Sequence, residues 1–142
     1  MRIQRPAILL AALSLAACDS GTTQGGTTNE PHIKVRSAEQ DQLKKLDAFN
    51  LAIGLKRAIY DAGYTCKRVT DAGFVGEYKN LDMWTAHCVY DNGSSRDWAV
   101  FAGPDGSAQV RDCKDVAATG LPACVIKQRP KGSFNPVKSS KA

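Results

Sequence analysis

Long apolar runs are absent. None in the 142 residues approaches the roughly 20 that a helix needs to span a bilayer, which excludes a polytopic membrane protein. Histidine is scarce, with His32 and His87 only. A Gly-rich phosphate loop, a His-Glu zinc helix and a Gly-x-Ser-x-Gly elbow are all missing, so no catalytic residues are legible. Close cysteine pairs are missing too, which argues against a four-cysteine zinc site or a redox centre; neither metal nor cofactor is expected. Acidic residues are missing from both ends of the chain. Arg2 and Arg5 at one end, with Lys127, Arg129, Lys131, Lys138 and Lys141 at the other, hold seven of the 19 basic residues. The formal charge of +5 therefore belongs to the ends, and the 18–126 stretch between them is slightly acidic. Wholesale disorder is excluded in turn, because 43% hydrophobic residues suffice for a packed core.

What is present at the start is an export signal. Arg2 and Arg5 precede an apolar stretch from Ala7 to Ala17 that ends in small residues. The end of that stretch, Leu15-Ala16-Ala17-Cys18, resembles the bacterial lipobox of type II signal peptides at all four positions. The resemblance implies a diacylglyceryl thioether on Cys18, removal of residues 1–17, and acylation of the new Cys18 amine. Several acyl chains anchor a protein stably where one binds marginally, at ~0.8 kcal/mol per buried methylene. The implied place is the cell envelope, facing the periplasm. Asp19, by the enterobacterial pattern, favours the inner membrane.

Residues 18–36 read as the lipidated cysteine and a flexible tether. Ser20 to Asn29 contains no aliphatic or aromatic residue and cannot order itself by burial. A tether of about 18 residues reaches roughly 20 to 25 Å. His32 falls in it, without a second ligand nearby.

Residues 37–126 read as one α+β domain, a long helix packed on a four-stranded antiparallel meander. Ser37-Ala38-Glu39-Gln40 has the form of a capping box. Leu43, Leu46, Phe49, Ile53 and Ile59 or Tyr60 recur at helical spacing, widened by Leu51, Leu55, Ala58 and Ala62, and Gly63 suits the stop. A single helix from Ala38 to Ala62 is predicted. The period then changes to two, giving strands over 64–70, 83–90, 97–102 and 107–113. Turns fall at Asp91 to Ser95 and Gly103-Pro104-Asp105-Gly106.

With Cys18 taken by lipid, Cys66, Cys88, Cys113 and Cys124 remain, an even number suited to two disulfides in an exported chain. A first hairpin centred on Glu77 puts Cys66 opposite Cys88, at the separation a disulfide needs. Cys113 and Cys124 pair by elimination. The same register places Trp84, Ala86, Cys88, Trp98 and Val100 on one face, with Trp98 opposite Tyr90 and Val100 opposite Val110. Thr85, His87, Val89, Ala99 and Phe101 then share the other face, with His87 across from Phe101. That strip is a candidate contact surface, unless the 116–126 segment folds over it.

Residues 127–142, basic and bearing Pro130 and Pro136, read as a disordered tail. Its charge attracts anionic headgroups or wall polymer, at about 1 kcal/mol per basic residue near a charged membrane. Nucleic acid is no partner, because export separates the two. The shape loosely resembles small exported α+β modules of the PepSY and protease-inhibitor kind.

The sequence thus predicts a lipid-anchored cell-envelope lipoprotein whose domain is a binding module, not an enzyme, for an envelope protein or a cell-wall component. The alternative is an enzyme or enzyme subunit acting on envelope polymers. A cleft with clustered, perturbed carboxylates around His87 marks the enzyme, a continuous apolar strip at Thr85, His87, Val89, Ala99 and Phe101 marks the binder, and a passive spacer has neither.

Overall fold

The computed structural model describes residues 34–135. The lipobox with Cys18, nearly all of the expected tether, and residues 136–142 of the expected tail lie outside the described residues.

The elements run α1 (Ala38–Leu43), α2 (Ala48–Asp61), β1 (Arg68–Tyr78), β2 (Leu81–Val89), β3 (Ser95–Ala102), β4 (Ala108–Asp112) and the single turn α3 (Cys113–Val116). The strands form one antiparallel sheet in the order β1-β2-β3-β4. The architecture is α+β with a meander, and two disulfides hold it.

The single long helix is replaced by two. Ser37 makes the expected capping box: its hydroxyl accepts from the Gln40 amide at 3.3 Å, and the Gln40 side chain accepts from the Ser37 amide at 3.1 Å. The helix then ends at Leu43, because Asp47 starts another. Its backbone is extended, and its carboxylate accepts from the Asn50 amide at 2.8 Å. Those bonds from Asn50 hold the Asp47 carboxyl below its ordinary pKa. A further open amide of the second helix, that of Ala48, donates to the Lys131 carbonyl at 2.8 Å. The apolar spacing runs through the break without a fault, so periodicity alone did not reveal it.

The buried face of α2 is Ala48, Leu51, Leu55 and Ile59. Phe49, Ile53 and Tyr60, expected in the stripe, point outward and are about half exposed. Gly63 takes a left-handed conformation (φ 85°), with the Tyr64 amide bonded back to the Ile59 carbonyl at 3.0 Å and Gly63 to Tyr60 at 2.9 Å. The stop is where the sequence places it.

Strand β1 lies later than expected. Its glycines, Gly73 and Gly76, read as loop residues in the sequence, yet they sit inside the strand beside two irregularities of register. The turn is consequently Lys79-Asn80, not Glu77, and Cys88 faces Val69. Cys66 precedes the strand and still reaches Cys88, with 5.4 Å between the Cα atoms; the second bridge, Cys113–Cys124, spans 5.9 Å.

Trp98 lies opposite Ala86 rather than Tyr90, since β3 begins at Ser95 and tightens the turn. The difference is an even number of residues, so no side chain changes face. Val100 opposes Val110 and Ala102 opposes Ala108. Leu51, Leu55 and Ile59 pack on Trp84, Ala86, Cys88, Trp98 and Val100 as one core.

The other face is covered. Val75, Met83, Ala99, Phe101 and Val116 form a second buried cluster, closed by Leu121 and the Cys113–Cys124 bridge. Thr85, Ala99 and Phe101 are therefore unavailable as a contact strip, and only His87 and Val89 reach its rim. His87 lies opposite Asp97, and Phe101 opposite Met83. The cover won because burying Val75, Met83, Ala99 and Phe101, four apolar residues on three neighbouring strands, outweighs leaving them in water.

The free tail shortens as well. Gln128 pairs with Phe74 through bonds of 2.8 and 3.0 Å, Arg129 grips Asp71, and Phe134 packs on the first core. Gly73 makes this approach possible: a Cβ there would stand 2.6 Å from the Gln128 carbonyl oxygen and would also strike Ile126. Gly73→Ala is expected to lose about 1 to 3 kcal/mol by overpacking, against a gain below about 1 kcal/mol from the stiffer unfolded chain. Limited proteolysis should then cut near Lys127 and Arg129; unaltered stability and resistance would show that the close approach is dispensable.

The N-terminal edge is fastened by charge. Arg36 makes two bonds of 3.0 Å to the carboxylate of Asp82, whose side chain is fully buried, and also meets Asp41 and Glu77. Bonding to Asp82, then to Asp41, raises the Arg36 pKa further. Gln40 completes the fastening, donating to the carbonyls of Asn80 at 3.0 Å and Ala102 at 2.9 Å.

Candidate functional site

The meander registers three side chains in one row across the sheet: Asp71 on β1, His87 on β2 and Asp97 on β3. The next row on that face is Gly73, Thr85 and Ala99. Because Gly73 has no side chain, the 126–128 segment lies close above it and forms one wall of an open cleft. The cleft has a volume of about 560 Å³ and is lined by Asp71, Thr85, His87, Asp97, Ile126 and Arg129, with Cys124 and the exposed Val125 at its edge.

The ionisable groups in it are matched in pairs. His87 Nδ1 bonds Asp97 Oδ1 at 2.5 Å. Arg129 bonds Asp71 through Nη2 at 2.9 Å and Nε at 3.3 Å, an interaction that raises the arginine pKa. The Asp97 contact fixes the imidazole ring and leaves Nε2 as its free edge. Thr85 Oγ1 is buried and has no hydrogen-bond partner among the described residues. Among those residues, no group of three or more His, Cys, Asp or Glu side chains converges as metal ligands would.

Of the five residues read as a contact face, the structure brings only Thr85 and His87 to this cleft. Asp71, Asp97 and Arg129 were not foreseen. The two aspartates look like turn-flanking residues in the sequence, and the arginine belongs to the expected tail. Only the register, which sets Asp97 directly beside His87, could have picked them out.

Such a cleft can hold a small polar ligand and can pass a proton between His87 and a bound group. Compared with known proteins, the chain matches no family model, no curated protein and no solved structure.

Proposed function

We propose that the chain is a lipid-anchored cell-envelope lipoprotein facing the periplasm, whose domain is a binding module for another envelope component. The observation that carries this reading is cysteine usage. All four cysteines among the described residues are closed in disulfides, as an exported chain's would be, and Cys18 alone remains for the lipobox chemistry.

Cys18→Ser is expected to release the protein from the membrane fraction and to abolish labelling by palmitate. A variant that fractionates like the parent would sink the anchor. The inner membrane remains the choice implied by Asp19, and Lys138 and Lys141 supply the charge that would attract anionic headgroups.

One arrangement favours the second reading, an enzyme acting on envelope polymers: His87 stands between Asp71 and Asp97 in a cleft, beside a Thr85 hydroxyl without a partner among the described residues. Turnover of a purified envelope polymer, lost in His87→Ala, would decide for it.

A further inference from the structure

We propose that the domain binds a saccharide in a second cleft, between the end of α2 and the β2–β3 turn. The proposal rests on the binding-module reading and names the class of ligand. This cleft has a volume of about 470 Å³, in the range of small-ligand sites. Its lining includes Tyr64, Thr65, Tyr90, Asn92, Arg96 and Trp98, and contains neither an aliphatic side chain nor a carboxylate.

The aromatic groups are fixed before any ligand arrives. Tyr64 stacks on Trp98 with 4.5 Å between ring centroids; Tyr64 is partly exposed and Trp98 is buried beneath. The guanidinium of Arg96 lies 5.4 Å from the same indole and is held by Asp112 at 3.4 Å. Tyr90 donates its hydroxyl hydrogen to the Thr65 carbonyl at 2.9 Å. The Cys66–Cys88 bridge stands beside Thr65 and close to Tyr90 in sequence, so the wall is braced covalently. Rigidity of this kind lowers the cost of binding.

The free polar groups suit hydroxyls. Asn92 Oδ1 accepts from the Ser94 amide at 3.0 Å and from its hydroxyl at 2.7 Å, which leaves the Asn92 amide nitrogen as an outward donor. Trp98 Nε1 is buried and has no acceptor among the described residues. A sugar ring offers an apolar C–H face for the exposed part of Tyr64 and a hydroxyl oxygen for the Asn92 amide. An apolar peptide side chain would need aliphatic walls, and a cation would need a carboxylate, which this cleft lacks. A phosphate would need more than Arg96, the one cationic side chain in the lining.

The test uses the isotope-labelled full chain and two probes at millimolar concentration, a linear N-acetylglucosamine tetramer and maltotetraose. The expected result is a saturable shift of the Trp98 indole resonance and of the Thr65 and Ser95 amides with at least one of them. A shift with the first alone identifies an amino-sugar glycan, and a shift with the second alone a neutral glucan. Tyr64→Ala should weaken that binding about tenfold, the worth of one aromatic contact, whereas Tyr64→Phe should keep it. Should Tyr64→Ala lose its dispersed spectrum, Arg96→Ala at the exposed rim gives the same readout. Absence of any shift with both probes, shifts confined to the His87 cleft, or binding indifferent to Tyr64→Ala and Arg96→Ala would each overturn the proposal. Loss of the saccharide without loss of Cys18-dependent membrane attachment separates its failure from that of the anchored-module reading.

Discussion

Arg36→Ala is expected to destabilise the domain by about 3 kcal/mol, because breaking a buried ion pair leaves the other charge uncompensated. The stranded group is the Asp82 carboxylate, whose side chain has no exposed area. Its other cation, Lys44, stands at 3.5 Å and keeps the loss at the low end of what such breaks produce. Arg36→Lys should fall between, since an ammonium cannot make the two parallel bonds that the guanidinium makes to Asp82. The urea midpoint at neutral pH measures this. A shift worth less than about 1 kcal/mol would mean that Asp82 rehydrates when Arg36 is lost, as exposed pairs do.

Replacing Cys66 and Cys88 together by alanine should lower stability by about 3 to 5 kcal/mol. Opening a loop of 22 residues accounts for about 3 kcal/mol in the chain-entropy account, and the core cavity left by two buried sulfurs adds to it. The Cys113–Cys124 bridge spans 11 residues and should behave differently. It closes only the cover over Met83, Ala99 and Phe101, so its loss should act locally and expose that cluster to an apolar dye. Thermal unfolding of the two double variants, each with and without reductant, separates the effects. Equal losses of global stability and no dye binding would contradict the division.

What the sequence made legible were features with short-range causes. The Ser37 capping box, the Gly63 stop and the β3–β4 register each depend on residues a few positions apart, and each stands in the structure. The face carrying Trp84, Cys88 and Val100 survived an error of register because the error was even. The helix break at Asp47 was hidden because Leu43 and Leu46 suit the core with or without it. Gly73 misled for a physical reason: the need for glycine there is set by Gln128, far along the chain. The same distance hid the candidate site. His87 drew notice as a rare residue, whereas Asp71, Asp97 and Arg129 acquire meaning only when β1, β3 and the last segment come together.

The bond from the Ala48 amide to the Lys131 carbonyl also orders events during synthesis. A nascent chain emerges with its N-terminus first, and α2 is complete in sequence long before residue 131 leaves the ribosome. Until then that helix lacks one cap, and the Phe74 edge lacks its bonds to Gln128 until that residue too has emerged. The 128–134 segment, made after both layers, latches the helix and the sheet edge. A chain stopped short of it lacks the Lys131 carbonyl at the Ala48 amide and the Gln128 bonds at Phe74.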